Sequence, residues 1–210
     1  PAPRNPLTDE VEFAFIGGGF AGVTTGAALK QAGITDVRII EKGGDFGGTW
    51  YWNRYPGAMC DTAAMVYMPL LEETGHMPSQ KYVHAPEILD HCRRIGNHFD
   101  LYNNAVLSTE VTALDWDDTA KRWIIRTNRG DEMRAKFVAM GTGPLHRPKL
   151  PGIPGIEASH EHAKYESAHR KPSGQQASVV RAWRGSSGQA FSSPSTYATQ
   201  VRMSWINPML

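Results

Sequence analysis

The chain has 210 residues, enough for one substantial core and an appendage. Its 22 Lys and Arg nearly balance 21 Asp and Glu, and a formal net charge of +1 gives no reason to expect nucleic acid or an acidic membrane surface as partner. No apolar run approaches the ~20 residues of a membrane span, residues 1–6 lack a signal-peptide pattern, and Cys60 and Cys92 have neither metal nor redox spacing, so the expected setting is the reducing cytoplasm.

Residues 10–15 alternate apolar and polar side chains and end in an apolar run, as a strand does. Phe15-Ile16-Gly17-Gly18-Gly19-Phe20-Ala21-Gly22 then reads as strand, glycine turn and helix start. Gly17 permits the tight turn. Gly19 has no Cβ, so a pyrophosphate can lie against the backbone, and Gly22 lets the helix pack closely on the strand. The N–H groups at the helix start face the phosphates, aided by the helix dipole. Residues 20–31 hold good helix formers, and Gly33 follows where a helix C-terminus wants glycine. Residues 37–40 form a second apolar strand ending in Glu41, about 20 residues past the last glycine, where an acid accepts hydrogen bonds from ribose hydroxyls. Together these elements define a dinucleotide-binding unit.

Residues 46–61 read Phe-Gly-Gly-Thr-Trp-Tyr-Trp-Asn-Arg-Tyr-Pro-Gly-Ala-Met-Cys-Asp. Gly43, Gly44, Gly47 and Gly48 make this a mobile or tightly folded loop, and Pro56-Gly57 marks a turn. Trp50, Tyr51, Trp52 and Tyr55 need something to pack on. A flat heteroaromatic ring suits them, and so does a ligand-free aromatic cluster. Their place directly after the ribose acid points to a cofactor site.

Residues 86–100 carry Ile88, Leu89, Cys92, Ile95 and Phe99 at helical spacing, with Pro86 suited to the first turn. Cys92 is therefore expected in the core rather than as a nucleophile. From Ser108 the period changes to two. Residues 111–116, 122–127 and 131–140 read as three strands of an antiparallel meander, joined by turns at 117–121 and 128–130. The last strand ends in Gly141-Thr142-Gly143-Pro144, small residues that permit close backbone approach to a ligand. A Rossmann unit interrupted by a meander suits a large flavin nucleotide better than a simple dehydrogenase cofactor.

Composition shifts near Glu166. The first 166 residues hold 17 basic and 21 acidic residues, whereas residues 167–210 hold five basic residues, no acid and nine serines. Residues 158–210 are expected to be a divergent, disordered tail after a domain spanning 1–157. His160, His162 and His169 fall in that tail without a companion ligand pattern and read as solvated side chains, so no metal site is expected.

The glycine turn, Glu41, the block from Gly47 to Asp61 and Gly141-Thr142-Gly143 together resemble the Baeyer–Villiger monooxygenases, FAD- and NADPH-dependent flavoproteins related to cyclohexanone monooxygenase. The Gly-Gly-Thr-Trp-Tyr-Trp-Asn-Arg-Tyr-Pro-Gly run is highly specific, and the resemblance covers about residues 10–157, the FAD-binding beginning of a longer chain. It implies an α/β, Rossmann-type FAD-binding domain whose parallel sheet carries an inserted antiparallel meander. Gly17, Gly18, Gly19, Phe20 and Ala21 would lie on the FAD pyrophosphate, and Glu41 on the adenosine ribose. Thr49, Trp50, Tyr51, Trp52 and Tyr67 would border the flavin, and Gly22, Gly48 and Gly141 would be further cofactor-binding residues. Val111 would meet the adenine through its backbone. Met59, Cys60 and Asp61 would lie where the nicotinamide approaches. In this family NADPH reduces FAD, O₂ adds to give a C4a-peroxyflavin, and the peroxide converts a small ketone into an ester or lactone. Asp61 would be catalytic, orienting an active-site arginine; read without the motif, it is a turn-capping Asp.

After Glu157 the family continues with Phe-x-Gly-x-x-x-His-x-x-x-Trp, but here no Phe-x-Gly follows Gly141 and no second Gly-x-Gly-x-x-Gly occurs. The expectation is a truncated chain, its end arising from a shifted reading frame or aberrant splicing, without the NADPH domain or the arginine partner of Asp61. The alternative to an enzyme is a non-catalytic FAD-binding fragment. A plain NAD-dependent dehydrogenase is disfavoured by the Gly-Gly-Thr-Trp block and the meander. A disulfide reductase is disfavoured by the wide spacing of Cys60 and Cys92.

Overall fold

The structure, a computed structural model, describes residues 3–145. The expected boundary at 157, the tail and its three histidines lie outside the described residues.

Alternating residues of the first strand, β1 (Glu10–Ile16), divide between the two faces of a six-stranded sheet. β2 (Val37–Ile40) and the short β3 (Ala105–Val106) extend the sheet in parallel on one side. On the other side β6 (Glu132–Met140) runs parallel to β1, with Ile16 opposite Met140. β5 (Arg122–Thr127) and β4 (Val111–Asp117) complete the antiparallel meander beyond it. The order is β3-β2-β1-β6-β5-β4, so the chain winds outward from β1 on one side and returns on the other. This is the expected α/β class, a parallel Rossmann-type sheet carrying a meander.

The first helix, α1 (Phe20–Gln31), buries Gly22, Val23, Gly26 and Ala27. Its buried face is built of small residues because the helix lies close to β2: a Cβ on Gly26 would sit 3.0 Å from the Ile39 side chain. The long helix α5 (Ala85–His98) buries Ile88, Leu89, Cys92 and Ile95 as its spacing predicts. Each fully buried isoleucine contributes roughly 1.5–3 kcal/mol. The helix stops two residues before the expected end. Asp100 turns left-handed (φ 53°) and the Leu101 N–H bonds the Gly96 carbonyl at 2.8 Å, a Schellman-type stop that a hydrophobic period does not reveal. The last strand likewise starts at Glu132 instead of 131, because Asp131 turns inward to bond Arg4 and the Leu7 N–H.

Of three short helices, α2 (Thr49–Trp52) lies within the block that the sequence presents as loop, and α3 (Ala64–Tyr67) and α4 (Leu71–Thr74) follow it. Among the described residues the core has three clusters. One joins Phe13, Phe15, Val23, Ile39, Phe46, Cys92, Ile95 and Leu101 between sheet and helices. A second gathers Trp50, Cys60, Met68, Val83, Ile88 and Leu89 under the short helices. The third, Val11, Ala14, Ile40, Val106, Ile125, Met133 and Ala135, seats the meander. Among the described residues no helix is long and apolar enough to cross a membrane.

Candidate dinucleotide-binding site

Winding outward on both sides of β1 leaves a crevice beyond the carboxyl ends of β1 and β6. Gly17 and Gly141 meet there. Gly17 has φ +114°, a backbone state that side chains avoid, and a Cβ on it would lie 2.5 Å from the Gly141 carbonyl oxygen. A Cβ on Gly22 would lie 2.0 Å from the Gly17 oxygen, and one on Gly141 2.7 Å from the Phe15 ring. These three positions exclude any side chain. Gly19 differs: a Cβ there would meet nothing closer than Gly48 Cα at 3.4 Å. A Cβ would fit there in ordinary van der Waals contact. α1 carries no acid in its first turn, so nothing on that turn opposes an anion at its N-terminus.

Glu41 is buried at 5% exposure. Its Oε2 accepts the Gly18 N–H at 2.5 Å and its Oε1 accepts the Gly43 N–H. The Glu41 backbone continues the β2–β3 ladder, donating to Val106 O and accepting the Thr109 N–H, both at 2.9 Å. This brings half-buried Val111, the first residue of β4, to the same end of the sheet.

Residues 43–48 fold back over the glycine turn. Phe46 is fully buried beneath Gly18, the Gly47 N–H bonds the Gly18 carbonyl at 2.9 Å, and a Cβ on Gly48 would lie 2.7 Å from Gly19 Cα. α2 follows directly, so Thr49 to Trp52 stand beside the turn. Trp50 and Trp52 are buried, whereas Tyr51 remains half exposed under the Arg54 guanidinium at 4.3 Å. Trp50 Nε1 donates to Tyr67 Oη at 2.8 Å, and the Tyr67 ring meets Phe20 edge-on at 5.3 Å. The aromatics therefore pack largely on each other, and Tyr51 and Tyr67 keep partly open faces. Burial pushes the Tyr67 hydroxyl up to about 12.

Met59 pairs with His84 in an isolated bridge, and the Cys60 N–H bonds Val83 O at 3.1 Å. The segment alternates outward and inward. Met59 and Asp61 are exposed, while Cys60 joins the Trp50 cluster that Phe20 and Tyr67 pack against. Burial raises the Cys60 thiol above its ordinary value and raises the Cys92 thiol strongly.

The sequence reading did not single out two residues of the site. Asn53 is buried and its Nδ2 donates to Thr49 O at 2.8 Å and Leu145 O at 3.3 Å, tying α2 to the segment after β6. Asp45 bonds groups on other elements that lie far along the chain. A polar residue inside a glycine and aromatic block is the signal for Asn53. The partners of Asp45 leave no local signal.

Residues 14–191 match the family described as pyridine nucleotide-disulphide oxidoreductase. Neopentalenolactone D synthase of Streptomyces avermitilis is 52% identical over 168 residues, 80% of this chain and 28% of that protein. A Baeyer–Villiger monooxygenase of Streptomyces coelicolor is 54% identical over 164 residues, 78% of this chain and 27% of that protein. The solved polycyclic ketone monooxygenase of the fungus Thermothelomyces thermophila superposes with a TM-score of 0.68 at 35% identity, covering 75% of this chain and 27% of that one. The chain thus spans little more than a quarter of the length of these relatives. Cys60 and Cys92 are free and sit in different core clusters, so the likeness rests on the dinucleotide fold and not on a redox disulfide. The chain belongs to the pyridine nucleotide-disulphide oxidoreductase family, and within it is similar to the N-terminal portion of Baeyer–Villiger monooxygenases.

Proposed function

We propose that this chain is the FAD-holding portion of a Baeyer–Villiger-type monooxygenase that uses NADPH and O₂ to convert a small ketone into an ester or lactone. One observation carries this reading: Gly17, Gly22 and Gly141 are closed to side chains while Gly19 stays open, all at the crevice where the strand order reverses.

The residues present fit FAD. The first turn of α1 offers N–H groups to a pyrophosphate, and the Glu41 carboxylate at the end of β2 would meet a ribose. The Val111 backbone would meet the adenine. Gly48, Thr49, Tyr51 and Tyr67 would flank the flavin, with buried Trp50 and Trp52 holding them in place. Met59 and Asp61, at the exposed margin, would face the nicotinamide, and Asp61 would orient a cation there. Bound FAD would supply two-electron exchange with NADPH and activation of O₂. The description of the family supports a pyridine nucleotide, and the fungal neighbour supports a ketone. Two free, buried cysteines support a reducing, cytoplasmic setting.

The second reading is that the 210-residue polypeptide by itself holds FAD without oxygenating ketones. A flavin spectrum of the purified chain, recorded with added FAD and again after NADPH in air, tests both. A stoichiometric bound flavin that NADPH leaves oxidised is the expected result. A chain that takes up no FAD overturns the first reading, and NADPH-dependent bleaching with oxygen uptake overturns the second.

A further inference from the structure

We propose that Asp45 is a positioning residue for the dinucleotide site, acting through the loop of residues 43–48. The inference rests on the FAD-holding reading above. Four of the six loop residues are glycines, and Gly47 and Gly48 have φ of +134° and +51°. Such a backbone loses much conformational entropy when it is fixed. Its only side chains are Asp45 and Phe46.

Phe46 anchors the loop downward, into the core beneath Gly18. Asp45 anchors it sideways. Its Oδ1 accepts the Phe46 N–H and the Tyr102 hydroxyl, each at 2.8 Å, and its Oδ2 accepts Arg93 Nε at 2.8 Å. Three donors from three places, the loop itself, α5 and the 3-10 turn at Tyr102–Asn104, converge on one carboxylate. The Tyr102 ring also packs on Phe46, centroids 4.7 Å apart. This latch holds Gly47 on the Gly18 carbonyl and Gly48 against Gly19, the one glycine of the turn whose open side can receive a phosphate. Asp45 makes its bonds to the loop, α5 and Tyr102, so it acts on a ligand by fixing the loop beforehand. Loss of the latch lowers the fraction of molecules in the binding-competent arrangement, and apparent affinity falls by that fraction.

The test titrates FAD into the full chain, reading quenching of flavin fluorescence well below the melting temperature. Asp45→Ala and Tyr102→Phe are compared with Asp117→Ala, which removes the acceptor of the Thr119 and Ala120 N–H groups in the turn between β4 and β5, beside Glu10 at the start of β1. Asp45→Ala is expected to raise the FAD dissociation constant about tenfold or more and Tyr102→Phe less, whereas Asp117→Ala lowers the melting temperature without changing the constant. The Gly47 amide should also lose hydrogen-exchange protection in Asp45→Ala while the β1 amides keep theirs. Tyr102→Phe removes one hydroxyl and keeps the ring, so it serves if Asp45→Ala does not fold. An unchanged constant in both latch variants, or an equal loss in Asp117→Ala, overturns the proposal. Absence of FAD binding by the unsubstituted chain overturns the FAD reading itself, and the role of Asp45 falls with it.

Discussion

Gly18 and Glu41 are joined by a buried hydrogen bond across 23 residues of sequence, from the Gly18 N–H to the carboxylate Oε2 at 2.5 Å. The other oxygen takes the Gly43 N–H, so one side chain joins the glycine turn to the loop that covers it. Glu41→Gln keeps the shape but replaces one acceptor by an NH₂ that faces a backbone N–H. A hydrogen bond to a charged group contributes about 1.5–3 kcal/mol. Urea denaturation of the ligand-free chain should show a loss of that order, and FAD affinity should fall with it. An unchanged urea midpoint would mean that Glu41 does not join the two segments.

The Trp50 indole N–H has Tyr67 Oη as its acceptor, inside a cluster where both rings are largely removed from water. Tyr67→Phe leaves that donor buried and unpaired, at a cost of about 1–3 kcal/mol. The double variant Trp50→Phe, Tyr67→Phe removes both partners and should recover part of the loss, which a double-mutant cycle on urea midpoints reads directly. In an alkaline absorbance titration Tyr67 should ionise only near 12, where burial holds it.

The legible part of this fold was whatever declares itself over a few residues. β1, α1, β2 and the meander strands carry their own periodicities, and Glu41 stands at the end of an apolar strand after a glycine turn. α2, α3 and α4 have four residues each, too few for a helical period, and are held by tertiary contacts such as Trp50 with Tyr67. The parallel pairing of β6 with β1 follows from the sheet closing around Ala14 and Ala135 and has no local mark. Asp45 is the same case in the site, since its partners Arg93 and Tyr102 lie 48 and 57 residues away.

His91 is a second buried polar group at the edge of the site. Its ring lies edge-on to Phe20 at 6.5 Å and stacked on His76 at 5.1 Å, and Nε2 bonds the Pro69 carbonyl at 2.6 Å. Nδ1 is buried without a partner. Burial depresses its pKa below the ordinary 6.5. The bond to Pro69 opposes the shift, His76 and Arg94 add to it, and Glu87 opposes it. The unfolded chain therefore takes up a proton that the folded chain refuses. This contribution to stability is full above about pH 6.5 and is lost as the pH falls below it. Urea midpoints between about pH 5 and 8 should show this slope in the unsubstituted chain and a flatter one in His91→Gln, which keeps a donor for Pro69.

Arg4 and Asp131 set the acid limit where the N-terminal segment docks on the meander. The guanidinium holds both carboxylate oxygens, at 2.5 and 2.6 Å, and the Thr127 hydroxyl and the Leu7 N–H complete the set. The hydrogen bonds from Arg4 hold Asp131 well below the usual carboxylate range, against the opposing effect of burial. With a depressed folded pKa, the stabilisation is present above about pH 4 and is lost as the pH falls through the folded value. Arg4→Ala leaves a buried carboxylate with two donors instead of four. It should cost about 1–3 kcal/mol at neutral pH and reduce the acid dependence of the urea midpoint below about pH 4. Because Arg4 is itself partly exposed, added salt should narrow the gap between the two proteins only slightly, since the Asp131 side chain is fully buried. A gap that vanishes in about 0.5 M salt would identify the pair as a surface ion pair, and the N-terminal segment would then lack its anchor on the meander.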